Sequence, residues 1–300
     1  MAIFKDKKEV VGILICLISA VIFGLYPSAA RGAYIDGANI TFVVILTTFC
    51  RLLGLYSVSL MRGLKPFEKF SDYKVSAVAG VFQAISIIGI LGGAFFLPGA
   101  VVIIIMFTYS LMLLFFSAYR GDLKLNIANI LSTLTALAGL ALVLRIGTHD
   151  DSYPLIGILL AFMAAIATFS RSYIYGQQSK NRSPLVIGAE SFSVAFVLLL
   201  FLILWQWPVM PNNFSGLTMA MLSALSLTIG SFGMFYGIAY IGAYKFSMIM
   251  KLEPVFTTIF GIILVGDVLN SSQYTGIALV LISLISLQLF DKQNDAKKTG

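Results

Sequence analysis

Apolar runs of about 20 residues recur along this 300-residue chain, separated only by short polar breaks. At a rise of about 1.5 Å per residue, each run is long enough to cross a hydrocarbon core of about 30 Å as a helix. Only 11% of the residues are charged and 59% are hydrophobic, whereas a soluble domain carries about 25% charged residues. So little charge cannot cover a water-facing surface. The pattern predicts an all-α integral membrane protein. A membrane β-barrel would instead show short segments of alternating polarity.

The polar breaks predict ten spans, at roughly 10–30, 38–61, 74–96, 99–119, 126–145, 154–176, 184–207, 216–240, 242–265 and 271–290. Turn-forming stretches such as "LPGA", "RGD" and "WPVMPNNFSG" mark several of them. The breaks after spans 3 and 8 are very short, which predicts tight antiparallel hairpins. The first run is too long for a cleaved signal peptide and lacks a clean cleavage site, so it reads as a retained span.

With the N-terminus inside, one side of the membrane receives Lys5, Lys7, Lys8, Arg62, Lys65, Lys69, Lys74, Arg120, Lys124, Lys180, Arg182, Lys292, Lys297 and Lys298. The other side receives only Arg31 and Arg145. The positive-inside rule then places both termini in the cytoplasm. The net charge of +7 follows from this topology, and no nucleic-acid partner is implied.

The chain is similar to itself at an offset of about 145 residues. "GILICLISAV" at 12–21 matches "GILLAFMAAI" at 157–166, and Gly121-Asp122 matches Gly266-Asp267. Gly99-Ala100 opens span 4 as Gly242-Ala243 opens span 9. Because five is odd, the second set of five spans starts on the opposite side from the first. The expectation is two inverted five-helix repeats, 1–148 and 149–300. Such pairs form secondary transporters with a site near the midplane.

The stretch "KLEPVFTTIFGIILVGDVLNSSQYTGIALVLISL" at 251–284 resembles the second-repeat signature of the EamA-type drug/metabolite transporters. The matching features are Glu253-Pro254, Gly266-Asp267 and Gln273 followed by Gly276. Asp267 stands where glutamate is usual, and span 4 has no proline matching Pro254. The resemblance implies alternating access in the inner membrane, with export or exchange of small metabolites.

Six charged residues fall within spans: Arg51, Arg171, Glu190, Lys245, Lys251 and Glu253. Charge at membrane depth is costly, and is usually functional or paired. Arg171, Glu190 and Lys245 lie nearer the cytoplasmic ends. Arg171 and Lys245 can snorkel, and Arg171–Glu190 is an expected pair. Arg51, Lys251 and Glu253 lie deeper. Residues 251 and 253 point about 200° apart on a helix. Lys251 shares its face with Tyr244, Ser247, Met248, Val255 and Thr258. Glu253 shares its face with Phe246, Ile249, Met250, Thr257 and Phe260. The first face is the more polar, so Lys251 is expected to look into a cavity and Glu253 to pack near Arg51. Pro254 is expected to kink span 9 and to free the carbonyl of Met250.

The expected substrate-binding residues are Lys251, Thr108, Tyr109, Tyr26, Gln83, Tyr236, Ser247 and Arg51, with Ser86 as a further polar group in span 3. Glu253, Glu190 and Arg171 are the coupling or ion-pair residues, and Pro254 and Pro27 the kinks. In-span charge sums to +2, which favours an anionic or zwitterionic solute such as an amino acid. A nucleotide-like or phosphate-bearing metabolite is the alternative, as is a non-transporting receptor or scaffold. No hydrolase or metalloprotease motif is present, and the single histidine, His149, lies in a polar loop. An enzyme is therefore not expected, nor a cofactor or metal. The expected partners are a small-molecule substrate and the lipid bilayer. Protons are the candidate coupling ion, and either a monomer or a dimer is compatible.

Overall fold

The computed structural model describes residues 7–68, 70–96, 102, 105–121, 127–143, 154–265, 271–272 and 274–283. Among these residues the regular structure is entirely helical. The helices are α1 (Lys7–Ile35), α2 (Ile40–Met61), α3 (Phe70–Phe96), α4 (Tyr109–Tyr119), α5 (Ile127–Val143), α6 (Leu155–Gln178), α7 (Pro184–Leu200), α8 (Phe214–Ile249), α9 (Glu253–Val265) and α10 (Tyr274–Ser283). A single turn, Leu202–Trp205, extends α7, and a 3₁₀ turn, Met250–Leu252, joins α8 to α9. Among the described residues, five helical stretches are long and apolar enough to cross a membrane: Lys7–Ile35, Ile40–Met61, Leu155–Gln178, Pro184–Trp205 and Phe214–Thr257. The Gly266-Asp267 and Gln273 parts of the signature, and the Gly99-Ala100 and Asp122 parts of the repeat, lie outside the described residues.

Local chemistry sets the ends of these elements. Asn39 caps α2 by accepting from the Phe42 N–H at 2.9 Å, and Asn213 caps α8 by accepting from the Gly216 N–H at 2.7 Å. Caps of this kind contribute about 1 kcal/mol each. The expected turn between spans 8 and 9 falls inside α8. Gly242 there has φ 79° and ψ 161°, a backbone conformation that glycine adopts without a Cβ clash. The backbone is therefore kinked at Gly242, with a separate helical segment on either side of it.

α1 packs chiefly against α8 and α9, α3 against α6 and α7, and α2 against α7 and α8. Small residues make the approach close. A Cβ at Gly24 would lie 2.5 Å from the Phe256 Cβ and 2.9 Å from the Thr257 nitrogen. At the end of the bundle where α1 begins, polar links cross between elements. Glu9 pairs with Lys245 at 2.9 Å, and Arg62 donates to the Tyr236 hydroxyl at 2.9 Å. At the far end, the segment after α7 docks on the α1–α2 turn. Asn39 donates to the Trp207 carbonyl at 2.7 Å, and the Asn212 N–H donates to the Asp36 carbonyl at 2.7 Å.

Candidate functional site

Helices α1, α2, α3, α6, α7, α8 and α9, with the start of α4 and the short segment before it, surround a cavity of about 220 Å³. Its walls hold Arg51, Arg171 and Glu253 together with Tyr26, Tyr109 and Gln83. Tyr34 and Val43 also line it, so it extends from mid-bundle toward the far end.

Each charged side chain is positioned by its helix. Arg51 sits one turn after Thr47 on α2, and its Nε donates to the Thr47 carbonyl at 3.4 Å. Its guanidinium carbon lies 4.9 Å from the centre of the Phe192 ring on α7, a cation–π contact that holds the group at the wall. Arg171, on α6, reaches the Met234 sulfur at 3.6 Å, and its Nε is buried with no hydrogen bond inside the protein. It is close enough to Glu253 and Tyr109 to act on both electrostatically. Among the described residues, no cation forms an ion pair with the Glu253 carboxylate. The cavity thus presents two guanidinium groups, one carboxylate and three phenols, an arrangement suited to a small solute carrying both signs of charge.

The two faces around residue 251 group as the sequence suggests, but their surroundings are reversed. Phe246, Met250 and Glu253 line the cavity. Lys251 is fully buried away from it, and its Nζ lies 2.9 Å from the Met248 sulfur. The polar face is satisfied by α5. The Tyr244 and Thr133 hydroxyls are 3.1 Å apart, and Thr133 reaches the Met248 sulfur at 3.4 Å. Ser247 is buried and bonds the Tyr244 carbonyl.

Three further expectations are corrected. The buried Glu190 pairs with Arg182 at 2.7 Å, and the Phe67 N–H also donates to it at 3.0 Å, so Arg171 is not its partner. Lys245 forms its pair with Glu9. The carbonyl of Met250 is not free, because the Glu253 N–H bonds it in the 3₁₀ turn. Pro254 then stands in the first turn of α9, where its missing N–H removes no helical hydrogen bond.

Thr108 does not line the cavity and bonds the Ile105 carbonyl at 2.6 Å just before α4. Tyr236 stands at the end of the bundle with Arg62. The side chain of Pro27 lies outside the described residues. Thr48, Thr168, Phe192 and Ser223 are cavity residues that sequence reasoning did not select. Thr47, Thr48 and Arg51 are spaced for one helical face, which was a usable signal. Single hydroxyls such as Ser223 carry no such mark.

Fold and site together define a multi-pass membrane protein with a chamber whose largely apolar wall carries three charged side chains. The EamA-like transporter family matches residues 155–288, a stretch that supplies Thr168, Arg171, Phe192 and Glu253 to the cavity. That stretch is similar to the family, and the resemblance to the EamA-type drug/metabolite transporters holds. Members of this family are membrane transporters rather than enzymes. One solved structure, described as "Crystal structure of protein", is similar with a TM-score of 0.78 at 17% identity. The likeness covers 93% of this chain and 98% of that one, and at this identity it speaks to the fold alone. No curated protein matches the chain.

Proposed function

We propose that the chain is a secondary transporter for a small zwitterionic or anionic metabolite of the amino-acid class, working by alternating access as an exporter or exchanger in the inner membrane. The observation that carries this reading is the convergence of Arg51, Arg171 and Glu253 on one cavity. Two guanidinium groups suit a carboxylate, and Glu253 suits an ammonium. The cavity's size of about 220 Å³ is below the roughly 300–1,000 Å³ of pockets for drug-sized ligands, which favours such a solute over a nucleotide.

The topology proposed is ten spans in two inverted five-helix repeats, 1–148 and 149–300, with both termini cytoplasmic. It is supported by the shorter apolar helices Lys74–Ile90, Ile105–Tyr119, Ile127–Leu142 and Tyr274–Ser283, and by the kink at Gly242. In that orientation the polar links Glu9–Lys245, Arg62–Tyr236 and Arg182–Glu190 seal the cytoplasmic end, while the cavity extends outward. This arrangement suits one of the two access states.

Glu253 is the proposed proton-exchanging group, since Glu190 is committed to Arg182. Uptake into liposomes with and without an imposed pH gradient tests this. The wild type should respond to the gradient, and Glu253→Gln should transport without responding or not at all. A gradient response retained by Glu253→Gln would overturn the coupling assignment. No uptake of any amino acid or organic acid by the wild type would overturn the substrate class.

A further inference from the structure

Seven buried side-chain polar atoms make no hydrogen bond within the protein among the described residues, and four of them line the cavity: Thr48 Oγ1, Gln83 Oε1, Arg171 Nε and Ser223 Oγ. Their neighbours are not in this condition. On α8, Ser226, Thr228 and Ser231 each bond the carbonyl one turn back, at 2.6–2.8 Å. In the same wall, Ser86 and Thr168 bond each other at 2.7 Å. Ser59 Oγ, Tyr175 OH and Glu190 Oε2 are orphaned away from the cavity, but the four at its wall are gathered around one space. A buried polar atom left unpaired bears its full desolvation cost, and one facing a cavity is relieved by what the cavity holds.

The orphans divide by chemistry. Arg171 Nε belongs to the charged group with Arg51 and Glu253. Thr48, Gln83 and Ser223 are neutral and come from three helices, α2, α3 and α8. We propose that these three side chains form a second, hydrogen-bonding subsite that reads the solute's tail. The substrate is then a small zwitterion whose side chain carries a hydroxyl or amide, rather than an aliphatic or aromatic group. The inference rests on the reading that Arg51, Arg171 and Glu253 take the charged head. Gln83 Oε1 only accepts, so the tail must offer an O–H or N–H, and the two hydroxyls can donate or accept in return.

Isosteric pairs separate the polar contact from size. Isothermal titration of the protein in nanodiscs would compare threonine with valine, asparagine with leucine, and glutamine with methionine. The hydroxyl or amide member should bind at least about tenfold more tightly, since a site built to hydrogen-bond a solute strongly rejects an analogue that leaves its groups unpaired. Gln83→Met and the near-isosteric Thr48→Val should each bring a pair to within about threefold, a loss in the range of one neutral hydrogen bond. Equal binding within every pair by the wild type would overturn the inference, with water satisfying the three side chains, and leave the zwitterion reading standing. Absence of binding by all six amino acids would overturn both.

Discussion

Glu253 lines the central cavity, while Lys251, two residues earlier, is fully buried on the opposite side with its Nζ 2.9 Å from the Met248 sulfur. The 3₁₀ turn Met250–Leu252 keeps the two side chains on opposed faces at the point where α8 gives way to α9. Of the two charges in this stretch, the carboxylate is therefore the one that can meet a solute.

Lys251→Met should leave solute binding unchanged and keep or raise the thermal unfolding midpoint. The thioether partner is a weak acceptor, and replacing buried charge by an apolar side chain of similar volume is often neutral or stabilising. Titration and thermal unfolding of the variant in detergent check this. A tenfold loss of affinity in a folded variant would place Lys251 in the site after all.

Arg182 and Glu190 make the reverse case. Arg182→Gln leaves the fully buried Glu190 carboxylate without its counter-charge, and should destabilise the fold by about 3–5 kcal/mol. Joining Glu190→Gln to it should recover much of that loss. Denaturation of the single and double variants gives the comparison, and additive losses would show that the pair is not coupled.

The membrane class, the limits of most long helices and the grouping of side chains around residue 251 were legible in the sequence. Hydropathy and helical spacing determine those features directly. Which face of that helix meets the cavity was not legible. Tyr244, Ser247, Met248 and Lys251 form a polar stripe, and a polar stripe fits a wet chamber or a hydrogen-bonded contact with a neighbour equally well. The partners that decide it, Thr133 and its neighbours on α5, lie more than 100 residues away. The Arg182–Glu190 pair was hidden for a different reason. Arg182 reads as a loop charge, yet it turns back over the start of α7 to donate to Ser76 and Gln178 as well as Glu190. Depth in an apolar run singled out Arg51, Lys251 and Glu253 alike, and depth alone does not say which of them meets the cavity.

Gly24 carries a packing prediction. Gly24→Val should destabilise the α1–α9 contact by about 1–3 kcal/mol or more, because the backbone nitrogen of Thr257 stands where the new side chain begins. Thermal unfolding and the yield of folded protein measure it. An unchanged midpoint would mean that α1 and α9 lie farther apart than described.

The most direct test of the account asks which side chain of the 251–253 stretch faces water. In a Cys16→Ala/Cys50→Ala background, Glu253→Cys and Lys251→Cys would each be exposed to a small charged thiol reagent in intact membranes. Rapid labelling at 253, slowed by bound solute, with little labelling at 251, is the predicted result. Labelling at 251 with protection at 253 would contradict the account, since the lysine face would then border the chamber.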